Sequence, residues 1–177
     1  MTRIYLPTTP AGLEALVGQG FQPPLTAYAV TAALREWYAE GEADELEYAA
    51  ADDAARACLD LLAAAPGQPA CRVVVAADVP DGDVQAEAGA GRPRSAVRVS
   101  TAVTRDAVVS LHLDDDTAAG DVAAAVGALA AADAGDADAQ LRVEDAAGHE
   151  LLWYDVTELD DLLRRHPAGP GDAAVLG

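Results

Sequence analysis

The segment 72–77, with the sequence Arg-Val-Val-Val-Ala-Ala, restricts the fold more than any other part of the chain. It is bounded by Pro69 and Pro80. A short, continuous apolar run between such breakers is typical of a strand that is buried on both faces. We therefore expect a sheet whose apolar side chains pack against helices.

The longest helix is predicted just before this strand. Apolar residues recur there at intervals of three and four, which is the spacing of one helical face. These residues are Leu46, Ala50, Ala54, Ala57, Cys58, Leu61 and Leu62. Pro66 and Gly67 end the helix, and we expect both Leu61 and Leu62 to be buried against the sheet.

The remaining patterns place a strand first, then three helices, three strands, a helix, two strands and a last helix. The segments are a strand at 3–6, helices at 10–17, 31–40 and 46–62, strands at 72–77, 97–101 and 108–113, a helix capped by Thr117, a hairpin of 141–144 with 150–156, and a helix at 157–165. In the two early helices, Val17 and one of Trp37 and Tyr38 are expected to face inward. Trp37 should be the more buried ring, because it is three residues after Leu34 on the same helical face.

This order predicts an α+β fold, a two-layer sandwich with a ferredoxin-like βαββαβ core and extra helices after the first strand. A doubly wound parallel sheet is the alternative. We expect a single domain over 1–165, a flexible loop at about 81–95 and a disordered tail at 166–177, because the last two segments are rich in Gly and Pro.

The net charge of −19 arises from 30 acidic and 11 basic residues, and all the basic residues are Arg. Such a surface argues against nucleic-acid binding, which needs clustered positive charge.

The sequence has no apolar run that approaches a membrane span and no signal peptide at its start. Two cysteines without CxxC spacing fit a reduced, cytoplasmic protein. The acidity is explained either by GC-rich codon usage or by adaptation to salt.

Four motifs resemble sites of chemistry, and for each of them we prefer a structural explanation. His149-Glu150 begins like a zinc-protease motif, but Trp153 replaces its second histidine. The acids 114–116 could bind Mg²⁺, yet they also suit the start of the next helix. Glu36 and Glu40 share a helical face, which is explained as an acidic surface exposed to solvent. Ser110 and His112 are two residues apart on a strand, but the sequence around Ser110 is not a nucleophile motif. We therefore predict no catalytic residue, metal site or cofactor.

The stretch 34–48 is the strongest candidate for a binding surface, because it holds six carboxylates and three of the eight aromatic residues in the chain. Aromatic side chains rimmed by charge are typical of protein interfaces. We expect a protein partner to bind through Trp37, Tyr38, Glu40 and Tyr48. The alternative is a small enzyme or metal-dependent hydrolase that uses Glu36, Glu40, Asp114 or His112. The sequence leaves the oligomeric state open.

Several segments together resemble an uncharacterised actinobacterial family of domains of unknown function. They are 4–7, 33–38 leading into 46–50, 72–80 and 149–154, so the resemblance extends over most of the chain. It implies a bacterial lineage and a cytoplasmic setting. It implies no activity and no catalytic residue.

Overall fold

The computed structural model describes residues 1–38 and 42–166. Its centre is a seven-stranded sheet in the order β4-β5-β2-β1-β3-β6-β7, in which every pair of neighbours is antiparallel. The strands are β1 Thr2–Thr8, β2 Leu25–Ala29, β3 Val73–Val79, β4 Val84–Ala86, β5 Ala96–Val99, β6 Val108–Leu113 and β7 Leu152–Tyr154. The helices are α1 Ala32–Trp37, α2 Ala43–Ala64, α3 Ala119–Asp133, α4 Ala137–Ala147 and α5 Leu159–Arg165. The fold is therefore mixed α+β.

Strand β3 is central, as its apolar sequence predicted. It pairs with β1 from Thr2 opposite Val79 to Thr8 opposite Val73, and with β6 on its other side. Consecutive residues of β3 are buried, so neither of its faces meets solvent. The prediction of a strand that is buried on both faces is confirmed.

Helix α2 covers one face of the sheet. Glu45 accepts a hydrogen bond from the main-chain N–H of Glu42 at 3.3 Å, which fixes the first turn. The apolar stripe then packs on the sheet through residues such as Ala50, Ala54 and Cys58, all fully buried. Helices α3 and α4 pack against the C-terminal half of α2, around Leu59 and Leu62.

The opposite face of the sheet is also covered. A 3-10 helix at Ala11–Val17 and helix α5 contribute Leu13, Leu16, Leu159 and Leu162 to the core there. The prediction of a two-layer sandwich is therefore corrected to helices on both faces. This arrangement follows from β1 and β3, because successive side chains of a strand point to opposite faces of the sheet and both faces of these two strands are apolar.

The ferredoxin-like βαββαβ core is not confirmed. Strand β2, which the sequence did not predict, pairs with both β1 and β5 and makes the central part of the sheet antiparallel. The predicted hairpin at 141–156 is also wrong in its first arm, because 137–147 form helix α4. Asp136 caps this helix by accepting a hydrogen bond from the N–H of Ala139 at 2.8 Å.

Several local predictions change as well. Leu61 and Val17 are 39% and 62% exposed, so neither belongs to the core. Segment 81–95 contains strand β4. Thr117 does not cap α3: it lies in a 3-10 turn, Asp116–Ala118, which leads into the helix and is capped by Asp115, whose side chain accepts a hydrogen bond from the N–H of Thr117 at 2.8 Å. The predicted tail at 166–177 lies outside the described residues except for His166.

Candidate functional site

A groove lies between α1, the N-terminal half of α2 and the connection from β4 to β5. Its volume is about 770 Å³, within the range of ligand-binding clefts. We call it the aromatic groove. Its lining consists of Leu34, Trp37, Tyr38, Asp44, Glu45, Tyr48, Ala49, Asp52, Asp53, Pro93 and Arg94.

Three of the four residues predicted to bind a partner line this groove. Trp37 and Tyr48 are 64% and 65% exposed, and Tyr38 is 42% exposed. The expectation that one of Trp37 and Tyr38 faces inward, with Trp37 the more buried, is wrong. Leu34 alone anchors α1 in the core, and Trp37 is the more exposed of the two rings. Glu40, the fourth residue, lies outside the described residues.

The ring of Trp37 already carries a guanidinium group. The Cζ atom of Arg94 lies 3.9 Å from the ring centroid, which is the geometry of a cation–π contact. Thr31 joins the two main-chain segments that carry these residues, because its hydroxyl donates to the carbonyl of Arg94 and accepts from the N–H of Leu34 at 3.1 Å, three residues before Trp37. The start of α1 and the β4–β5 connection are thereby tied together at one residue.

The acidic lining of the groove comes from one helix. Asp44, Glu45, Asp52 and Asp53 are all on α2, at spacings that place them along its outer side. Within the described ranges none of the four forms a salt bridge. Burial raises the pKa of Asp53, whose carboxylate accepts a hydrogen bond from the hydroxyl of Ser95. The groove is therefore mainly negative, and among the described residues Arg94, stacked on Trp37, is the cation in its lining.

The residues considered for catalysis do not meet at one point. Asp114 is buried and binds Arg72, at 2.7 Å between Oδ1 and Nη2. His112 lies half-buried on β6, which ends just before Asp114, with its Nε2 atom 2.8 Å from the Oγ of Ser110, and burial lowers the pKa of His112. Glu36 is exposed on α1, away from both.

The motif His149-Glu150 also has a structural role. The Nε2 atom of His149 lies 2.7 Å from a carboxylate oxygen of Asp121 at the start of α3. The main-chain carbonyl of His149 accepts a hydrogen bond from Nη2 of Arg72 at 2.8 Å. Across 1–38 and 42–166, no cluster of three His, Cys, Asp or Glu residues could hold a metal ion. No helix in these ranges combines the length and apolar character needed to cross a membrane.

Sequence reasoning missed Arg94 and the buried Asp114–Arg72 pair. Arg94 reaches the groove from a connection with no periodicity, and bonds to distant segments, from Thr31 to its carbonyl and from Ala29 to the carbonyl of Ser95, hold it there. A signal for the ion pair was present, because an arginine at the entry of an apolar strand needs a partner when it is buried.

Comparisons with known proteins place the chain in a family. No curated protein and no solved structure matches it. A family model matches residues 2–163, nearly the whole of the described chain, and so confirms the resemblance to a family of unknown function. The chain belongs to the family described as "Family of unknown function (DUF6912)".

Proposed function

We propose that this protein is a non-catalytic interaction module whose aromatic groove binds an arginine-containing segment of a partner protein. The setting that we propose is the cytoplasm of an actinobacterium. Two buried, unpaired cysteines and the resemblance described above support that setting.

The contact between Arg94 and Trp37 is the observation that carries the proposal. In this contact an arginine of the protein itself stacks on Trp37, in the way that we propose for an arginine of the partner. A guanidinium group stacks on an indole ring and keeps its N–H donors free for carboxylates in the same plane. The exposed rings of Tyr38 and Tyr48 provide further aromatic surface beside it.

The charge of the groove supports a basic partner. Asp44, Glu45 and Asp52 are exposed and have no ion-pair partner within the described ranges. A positively charged segment would approach this surface faster than a neutral one, because the net charge of −19 attracts it over long distances. Anionic partners such as nucleic acids are disfavoured for the same reason.

The test uses a short labelled peptide with two arginines and the same peptide with citrulline, which is the neutral analogue of arginine. Binding is measured by fluorescence anisotropy at low and moderate salt. We expect the arginine peptide to bind and the citrulline peptide to bind at least about tenfold more weakly. Trp37→Ala should weaken binding by about two- to thirtyfold, the range of a cation–π contact.

Trp153→Ala is the matched control, because Trp153 is also an exposed tryptophan, at 60%, but lies on β7 outside the groove. It should leave peptide binding unchanged. The double variant Tyr38→Ala/Tyr48→Ala should fold, since both rings are exposed, and should bind the peptide weakly. Equal binding of both peptides, or equal effects of the two tryptophan variants, would refute the proposal.

A further inference from the structure

A second cavity lies beside the aromatic groove, above the strands at the β7 edge of the sheet, and shares Asp44, Tyr48 and Asp52 of α2 with it. Its floor is a cross-strand row in which Val74 is paired with His112 and His112 with Trp153. One wall is α2, through Glu47 and Tyr48, and the other is the connection from α4 to β7. We call it the α2–β7 cavity. Its volume is about 450 Å³, which suits a small molecule.

The charged groups that line this cavity are mainly acidic. They are Asp44, Glu47, Asp52 and Glu150, and within the described ranges none of them is in a salt bridge. Arg72 also lines the cavity, but its positive charge is already paired with the carboxylate of Asp114. A ligand must therefore supply the positive charge.

Glu47 is the best placed of these acids. It is half-buried, and its Oε2 atom accepts a hydrogen bond from the phenol of Tyr5 at 3.1 Å. This bond holds the carboxylate above the floor of the cavity and leaves its second oxygen available to a ligand. Burial, with the nearby Glu47 charge, raises the pKa of Tyr5 to about 12, so the phenol remains a donor.

Two aromatic rings complete the cavity. Trp153 and Tyr48 line it from opposite elements, β7 and α2, and are 60% and 65% exposed. Exposed rings of this kind bind flat or alkylated cations over their faces. From the acids and rings together, we infer that the α2–β7 cavity binds a small organic cation with a flat apolar body, such as an amidine or an aromatic amine.

A metal ion fits the cavity less well. Metal ions need several ligand atoms within coordination distance, and no three acids, histidines or cysteines of the described residues come that close. An organic cation spreads its charge over a larger volume and uses the same acids at hydrogen-bond distance. The two exposed rings would contact its body.

The test compares benzamidine with benzamide, its neutral analogue of nearly the same shape, by titration calorimetry. We expect benzamidine to bind with a dissociation constant below roughly 10 mM and benzamide to bind at least about tenfold more weakly. Glu47→Gln removes one charge but keeps an oxygen for Tyr5, and it should weaken benzamidine binding by about three- to tenfold. Glu36→Gln is the matched control, an equal loss of charge on an exposed residue outside the cavity.

The tryptophan variants separate this inference from the proposed function. Trp153→Ala should weaken benzamidine binding, and Trp37→Ala should not, which is the reverse of the result expected with the arginine peptide. Equal binding of the two probes, absence of benzamidine binding, or equal effects of Glu47→Gln and Glu36→Gln would overturn the inference. Failure of the arginine peptide to bind would refute the proposed function but would not contradict the inference about the α2–β7 cavity.

Discussion

The pair formed by Arg72 and Asp114 gives the most direct test of how the fold is held together. Their side chains are 3% and 1% exposed. Asp114 accepts from the Nε of Arg72 at 3.0 Å, from its Nη2 at 2.7 Å and from its main-chain N–H at 2.7 Å. Nη2 of Arg72 also donates to His149. The pair therefore links β3, the end of β6 and the connection before β7.

Replacing one member should cost far more than replacing both. Asp114→Leu leaves a buried guanidinium without its counterion, and Arg72→Met leaves a buried carboxylate, so each should lower the free energy of unfolding by about 3–5 kcal/mol. The double variant places two apolar side chains together. We expect it to lose only about 1–3 kcal/mol, which is the cost of leaving the main-chain N–H of residue 72 without an acceptor.

Urea unfolding measures these differences. With a slope of about 2 kcal/mol per molar urea, each single variant should have a midpoint lower by about 1.5–2.5 M. Asp60→Leu is the control, because Asp60 is 67% exposed and lies 3.8 Å from Arg56, and it should change stability by less than about 0.5 kcal/mol. A double variant less stable than either single variant would show that the reasoning is wrong.

Three further predictions concern packing, charge and thiol reactivity. Leu59→Ala should cost about 2–5 kcal/mol and Leu61→Ala less than about 1 kcal/mol in urea unfolding, because Leu59 is buried and Leu61 is not; equal losses would contradict the orientation of α2. The melting temperature should rise between about 10 and about 150 mM NaCl as repulsion is screened, and a flat response in a scanning calorimeter would refute this. Burial raises the pKa of Cys58 and Cys71 to about 12, so at about pH 8 Ellman's reagent should react only after unfolding; rapid labelling of the folded protein would contradict it.

Sequence patterns were sufficient where one element carries its own signal. The apolar run of β3 and the stripe of α2 belong to elements long enough to show a period, and both were predicted. Strand β2 was not predicted because its burial depends on its position between β1 and β5, a tertiary effect. Leu141 and Val143 alternate as in a strand, but the Asp136 cap and packing against α3 make this segment helical.

The candidate site was predictable to a similar extent. Trp37, Tyr38 and Tyr48 are near one another in the sequence, and in the structure they line one groove. Nothing in the sequence indicated that Arg94 would stack on Trp37. The α2–β7 cavity was equally hidden, because the register of β6 and β7 alone brings His112 beside Trp153. Sites made by strand pairing leave no local pattern.

The order of the strands also limits how another chain could extend the sheet. The two strands at the ends of the sheet, β4 and β7, have three residues each, whereas β1 and β3 have seven. A neighbouring chain that tried to extend the sheet would find a row of main-chain groups too short for a stable ladder. The net charge of −19 adds repulsion between copies. The long strands β1 and β3, which could pair with many residues of another chain, lie inside the sheet, and the short edge strands do not favour its extension.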